Sequence, residues 1–219
     1  ARFGTEYIDL YLLHRDDPAV PVEPIIDILN EHLKAGKICA FGGSNWSHDR
    51  LQAANAYAVE NGLTPFVASS PNFSLAEQLQ PPWAGCISIS GDQGSAARVW
   101  YAQQQLPLFT WSSLAGGFFS GRFRRDNLMS FTEPLEKLCA ETYGSEANFQ
   151  RLDRVETLAA QKSLSVPQIA LAYVLSQPLN IFAVTGSQTQ AEFATNVAAS
   201  ELRLSPTELA WLEGSQAVV

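Results

Sequence analysis

Residues Tyr7–Asn45 read YIDLYLLHRDDPAVPVEPIIDILNEHLKAGKICAFGGSN, and the fold class turns on them. Tyr7–His14 is a continuous apolar run with aromatic and β-branched members, the pattern of a strand buried on both faces. Pro18–Pro21 breaks it. Val22–Ala35 then spaces Ile25, Ile26, Leu29 and Leu33 along one helical stripe. Gly36 supplies the left-handed residue that closes such a helix. Ile38–Phe41 is a second strand and runs into Gly42-Gly43-Ser44-Asn45. Strand, crossover helix and strand make a parallel βαβ unit of right-handed sense.

The same alternation continues outward. Ser47 is the expected N-cap of a helix running to about Glu60, stopped by Asn61-Gly62. Phe66–Ser70, Leu108–Trp111 and Ile181–Val184 are three more strands. Helices are expected at Ala96–Gln105, Glu146–Lys162, Pro167–Ser176, Gln190–Ala199 and Ser205–Glu213, and Ser165 is placed to cap the third. Gln80–Ala96, with its prolines and glycines, is the least regular stretch. Ser112–Gly144 reads mostly as a long loop with short helical pieces, and loops of that length are more often functional than idle. Ala1–Gly4 looks like the tail of a helix, which hints at a missing beginning.

Polar or Gly-rich residues follow each strand: His14, Ser44-Asn45, Ser69–Asn72, Ser112-Ser113 and Gly186-Ser187. Barrels and open α/β sheets both build their sites at that end. No G-x-G-x-x-G follows the first strand, which counts against the dinucleotide-binding open sheet. We expect α/β architecture: one domain over residues 1–219, with about five βα units of a (β/α)8 barrel.

Composition narrows the function. The chain has 219 residues, 46% hydrophobic and 16% charged, which is globular composition. Its net charge of −8 argues against nucleic acid as a partner. No apolar run is long enough to span a bilayer, so no membrane partner is expected. Cys39, Cys86 and Cys139 are isolated and odd in number, which fits reduced thiols in a cytoplasmic protein and suggests no metal site.

Five segments, taken in order, resemble the aldo-keto reductase family: YIDLYLLHRDDP (Tyr7–Pro18), GKICAFGGSN (Gly36–Asn45), FTWSSLAGGFFSGRF (Phe109–Phe123), QIALAYVLS (Gln168–Ser176) and VTGSQTQAEFATN (Val184–Asn196). The resemblance covers nearly the whole chain and corresponds to the fourth strand of the barrel through its closing helices. The first three βα units are expected to be missing. It implies a TIM-type barrel that reduces a small carbonyl substrate with hydride from NADPH, NAD being possible.

In the family a Tyr gives the proton, a Lys and an Asp tune it, and a His helps to hold the carbonyl oxygen. Only the His is matched here, at His14. The six tyrosines lack the family's Asp-x-x-x-x-Tyr context. The four lysines, Lys34, Lys37, Lys137 and Lys162, are expected on helices or in turns. The chain alone is therefore expected to be catalytically incompetent.

The cofactor-binding residues implied by the resemblance follow the strand ends. Ser44 and Asn45 match the pair that bonds the nicotinamide carboxamide, and Asn72 stands where a Gln is usual, with a shorter reach. Trp111 matches the aromatic stacked on the nicotinamide ring. Ser112, Leu114 and Gly117 match the loop around the pyrophosphate, with Gly116 where many relatives carry Arg and Arg122 as a substitute cation. Gly186, Ser187 and Gln188 open the segment for the adenosine 2′-phosphate, and Asn196 matches the adenine contact. Gln188 replaces a frequent Lys or Arg and Glu192 a frequent Arg or Gln, which weakens NADP preference. The alternatives are a non-catalytic nucleotide-binding or interaction protein on the same fold, and an unrelated partial barrel for a sugar or phosphate. Bare strand edges imply self-association.

Overall fold

The computed structural model describes residues 4–215, so the expectation for Ala1–Gly4 falls almost wholly outside the described residues. Five parallel strands form one sheet in sequential order: β1 (Ile8–Leu13), β2 (Ile38–Ser44), β3 (Ser69–Ser70), β4 (Leu108–Thr110) and β5 (Ile181–Ala183). Helices α1 (Val22–Lys34), α2 (His48–Glu60) and α3 (Ser95–Gln104) connect the first four strands. Before β5 come α4 (Pro134–Tyr143), α5 (Glu146–Lys162) and α6 (Val166–Leu175); α7 (Gln190–Ser200) and α8 (Pro206–Glu213) follow it.

Local chemistry sets the boundaries. The Ser47 hydroxyl accepts from the Arg50 N–H at the start of α2, and Ser145 accepts from Asn148 at the start of α5. Ser165 with Gln168, and Ser205 with Glu208, form reciprocal capping boxes for α6 and α8. Gly36, at φ +70°, closes α1 as the sequence suggested. Between α1 and β3 the buried Asn30 acts as a bracket. Its amide donates to Ile26 O and Thr64 O at 3.0 Å, and its oxygen accepts from the Thr64 N–H at 2.9 Å.

The core lies between the sheet and its helices. Phe41 and Phe66 meet edge to face with centroids 5.6 Å apart, and Trp46 packs on Phe66 at 5.0 Å. A second aromatic group, Phe118, Phe119, Phe123 and Phe149, pins the segment after β4 against α5. β2 carries Gly42 and Gly43 where neighbours come closest. A Cβ on Gly42 would lie 2.3 Å from Ala68 O, and one on Gly43 would lie 2.8 Å from the Trp46 ring.

Three expectations need correction. β1 is not buried on both faces: Ile8 and Tyr11 are 36% and 40% exposed, because this strand pairs with β2 alone and its other edge has no partner among the described residues. The third strand shrinks to Ser69–Ser70. Ala68 and Val67 still bond to β2, but Phe66 turns into the core and Pro65 breaks the ladder. Ser112–Gly144 has the short helical pieces expected, Ala115–Ser120 and Leu128–Ser130, but it also holds a full ten-residue helix, Pro134–Tyr143, started by Pro134 and seated through Cys139, Thr142 and Tyr143. Lys34, Lys137 and Lys162 lie on helices and Lys37 in the turn before β2, as expected.

The Gly42 contact gives a direct test. Gly42→Ala puts a methyl group into a main-chain oxygen that cannot rotate away, and should cost about 1–3 kcal/mol. A urea midpoint for G42A equal to that of the wild type would show that the β2–β3 spacing is looser than described.

Candidate functional site

Parallel strands bring their C-terminal ends to one edge of the sheet, and the chain's polar strand-end residues gather there. Asn45, just past β2, takes the left-handed conformation at φ +57° and is 4% exposed. Its side-chain amide donates to His14 O and to Ser44 Oγ, both at 3.2 Å, and its oxygen accepts from the Ile87 N–H at 3.2 Å. The Ser44 hydroxyl donates to Ser70 O at 2.8 Å. One short network thus ties the ends of β1, β2 and β3.

Asn72 extends the network to β4. It is fully buried; its Nδ2 donates to Trp111 O at 3.2 Å, and its Oδ1 accepts from Ser88 Oγ at 2.8 Å and Gln78 Nε2 at 3.1 Å. A cleft of about 300 Å³ opens beside Gln78, Cys86 and Ser88. His14 itself is solvent-exposed, and its backbone carbonyl is the atom held by Asn45.

The irregular stretch after Gln80 supplies what the sequence reading missed. Trp83 lies stacked on Trp111, with centroids 5.1 Å apart and planes 24° from parallel. The Arg15 guanidinium sits 5.8 Å from the centroid of the Trp83 ring. The aromatic face expected to receive a nicotinamide therefore carries an indole of the same chain. Stacking and cation–π contact together contribute about 1–2 kcal/mol, the scale of stacking any other flat ring there. No periodicity marks Trp83; its only sequence signal is a large aromatic set between Pro82 and Gly85.

Polar atoms around Trp111 remain without partners. Thr110 Oγ1, Trp111 Nε1 and Ser113 Oγ are buried with no hydrogen-bond partner among the described residues, as is Trp83 Nε1. Each such atom costs about 1–3 kcal/mol unless something else satisfies it. Three of these atoms fall within four consecutive residues, so the unsatisfied polar groups are concentrated at the end of β4.

Beyond Trp111 the backbone enters left-handed space at Ser112, Ala115, Gly116 and Gly117. Gly117 donates to Leu114 O at 3.1 Å and Ala115 to Ser112 O at 2.8 Å, so two amides of the expected phosphate loop close its own turns. A Cβ on Gly116 would meet Tyr143 at an ordinary 3.6 Å, so the φ of +63°, rather than space, favours glycine. Arg122, expected as the substitute cation, is paired with Glu136 of α4 at 2.7 Å. The last group, Gly186, Ser187, Gln188 and Asn196, is exposed or half-exposed at the start of α7. There Asn196 Nδ2 donates to Ser187 Oγ at 3.0 Å, and the Glu192 carboxylate accepts the Gln188 N–H at 2.7 Å. The structure joins His14, Ser44, Asn45, Asn72 and Trp111 in one network, which Ser112, Leu114 and Gly117 continue along the chain. The hydrogen bonds of the α7 group stay within its own segment.

The buried tyrosines Tyr101, Tyr143 and Tyr173 hold their protons more tightly than a free phenol does. Burial pushes Tyr143 up to about 12 despite a hydrogen bond from Gln78, and pushes Tyr101 up to about 12 despite its bond with Ser69. A raised native pKa means that the folded chain holds the proton more tightly. That stabilisation is complete below pH 10 and disappears as pH rises from 10 towards 12, at about 2–3 kcal/mol per tyrosine. Calorimetry should show the unfolding temperature dropping steeply across that window, and less steeply in Tyr101→Phe. A flat profile would mean that these hydroxyls reach water.

The geometry can be set beside known proteins. The sequence model described as Aldo/keto reductase family matches residues 1–216. Versiconal hemiacetal acetate reductase of Aspergillus parasiticus is 27% identical over 213 residues, spanning 97% of this chain and 58% of its own length. A probable aldo-keto reductase 1 of Glycine max is 25% identical, spanning 95% of this chain and 55% of its own. A probable voltage-gated potassium channel subunit beta of Oryza sativa subsp. japonica is 23% identical, spanning 92% and 58%. The chain thus spans a little over half the length of these relatives. A crystal structure of a thermostable aldo-keto reductase in complex with the inhibitor epalrestat superposes with a TM-score of 0.67 at 19% identity, over 97% of this chain and 61% of that one. That likeness gives the barrel-type fold of the neighbour, and the family match covers the chain almost end to end: this chain belongs to the aldo/keto reductase family.

Proposed function

We propose that this chain carries the nicotinamide-nucleotide site of a reductase that converts aldehydes or ketones to alcohols. The observation that carries the reading is the single network at the sheet's C-terminal edge, which joins His14, Ser44, Asn45, Asn72 and Trp111 beside unpartnered buried polar atoms. The Trp83 stack supports the fit, since it demonstrates that the face of Trp111 accepts a flat aromatic ring. When bound, the nucleotide would supply the hydride.

The chain's own residues would do the rest of the holding. Trp111 orients the ring, while Ser112, Leu114 and Gly117 line the path of the pyrophosphate. Gly186, Ser187, Gln188 and Asn196 face the adenosine end. His14, exposed at the end of β1, is the residue for the carbonyl oxygen of a small substrate. The Tyr, Lys and Asp of the family mechanism have no counterpart in these segments, so we place the proton donor outside this chain and expect the chain alone not to turn over. Two sheet edges without a partner among the described residues, with Tyr7, Tyr11, Phe182 and Val184 40–53% exposed, support a barrel arc completed by further βα units in the whole protein. Among the described residues no helix is long and apolar enough to cross a membrane.

A second reading, a non-catalytic nucleotide-binding or interaction protein, draws support from one observation. The side-chain amides of Asn45 and Asn72 are already engaged by the chain itself.

Nucleotide titration tests the proposal. The Glu192 carboxylate on the Gln188 N–H already occupies the anion-favouring start of α7 and would repel a 2′-phosphate. NADP should therefore bind no more than about tenfold tighter than NAD, a gap of roughly 1.4 kcal/mol. Glu192→Gln should tighten NADP selectively, and neither NADPH nor NADH should be oxidised when an aldehyde panel is added. Binding that is absent for both nucleotides would remove the reading.

Self-association is the matching expectation for the edges. Sedimentation velocity should show dimers or larger species growing with concentration, and a monodisperse monomer would contradict the arc.

A further inference from the structure

The segment that lies over Trp111 is held unevenly. Ile87–Ile89 is fixed by main chain: Asn72 N–H donates to Ile87 O and Ile89 N–H to Asn72 O, each at 2.9 Å, with Ile87 N–H on Asn45 Oδ1 as well. The tip that carries Trp83 has far less. Its contacts are the stack on Trp111, the Arg15 guanidinium and one turn bond from Cys86 N–H to Trp83 O at 3.2 Å. Pro81, Ala84 and Gly85 in this tip are exposed. Gly85 sits at φ +76°, a conformation that favours glycine, and nothing lies within 4 Å of the place a Cβ would take, so the chain is open to solvent on that side. Trp83 Nε1 is buried with no partner, and moving the ring outward gives that N–H a water.

Taken together, we propose that Trp83 is an internal occupant of the ring-binding face of Trp111. It gives way to the planar ring of a nicotinamide nucleotide when Pro82–Gly85 swings about Gly85, while Ile87–Ile89 stays in place. This rests on the reading that such a nucleotide binds here. One flat indole leaves and one flat ring enters, so the aromatic contact is exchanged rather than created. Arg15, now over Trp83, is left beside the incoming ring. Admission of the nucleotide is then taxed by the fraction of chains in which Trp83 is seated, which lowers apparent affinity without changing any ligand contact.

The experiment is NADPH titration into the wild-type chain, Trp83→Ala and Trp83→Phe, alongside 19F spectra of the wild type grown with 5-fluorotryptophan. Thermal unfolding confirms that each variant folds. Trp83→Ala should bind NADPH about fivefold or more tightly than wild type, and Trp83→Phe, which keeps a ring to stack, should stay near wild type. In the wild-type spectrum the Trp83 resonance, identified by its loss in Trp83→Phe, should move to a solvent-exposed position as NADPH saturates. This last measurement stands even if Trp83→Ala does not fold. Unchanged or weaker binding by a folded Trp83→Ala, or a Trp83 resonance unmoved at saturation, overturns the exchange and leaves the nucleotide site intact. No saturable NADPH binding by any of the three chains overturns both the exchange and the nucleotide reading beneath it.

Discussion

The Asn45 side chain is the constraint on which the site geometry depends. A parallel sheet fixes the register of its strands by backbone bonds, but the ladder stops at the last residue of each strand and leaves the following loops free to diverge. Asn45 takes over there. Its short amide, turned inward by a left-handed backbone, donates to the loop after β1 and accepts from the irregular segment that closes over β3. Asn tolerates that conformation better than most residues and brings a donor and an acceptor within reach of the main chain. Without it, His14, Ser44 and Ile87 would have no shared partner.

A companion restraint acts one layer out. Arg50 of α2 grips Asp16 with two hydrogen bonds at 2.9 and 2.8 Å and reaches Val20 O at 3.0 Å, with its guanidinium 5.1 Å from the centroid of the Trp46 ring. The loop that carries His14 and Arg15 is thereby tied to the helix after the next strand. In an acidic chain this neutralises the Asp16 carboxylate, while the neighbouring Arg15 lies over Trp83.

Much of this was legible from sequence, for reasons that differ by element. β1, β2, α1 and α2 announce themselves because apolar spacing, a Ser N-cap and a closing Gly all agree. His14, Ser44, Asn45 and Asn72 lie together because residues that end parallel strands must share an edge, whereas the roles given to Asn72 and Trp111 came from the family resemblance alone. α4 was hidden because its neighbours are rich in Gly and Arg and its buried face consists of Cys139, Thr142 and Tyr143 rather than aliphatic residues. The exposure of β1 could not be read from an apolar string, since a run of that kind does not say whether a partner covers its second face. Trp83 was invisible for another reason. Its position depends on a long-range stack and on Asn72 bonding across to Ile87, neither of which leaves a periodic trace.

The two glycines of β2 have a consequence for how this sequence can drift. Gly43 has no side chain because the Trp46 indole fills the space where its Cβ would stand, and Trp46 in turn rests on Phe66 and under Arg50. Positions 43 and 46 thus share one volume, contributed wholly by the later residue. Enlarging the first is compatible with the fold only if the second shrinks, and shrinking the second alone opens a void beneath the arginine. The space at position 43 is thus tied through Trp46 to Arg50, and through Arg50 to the Asp16 clamp that steadies the His14 loop.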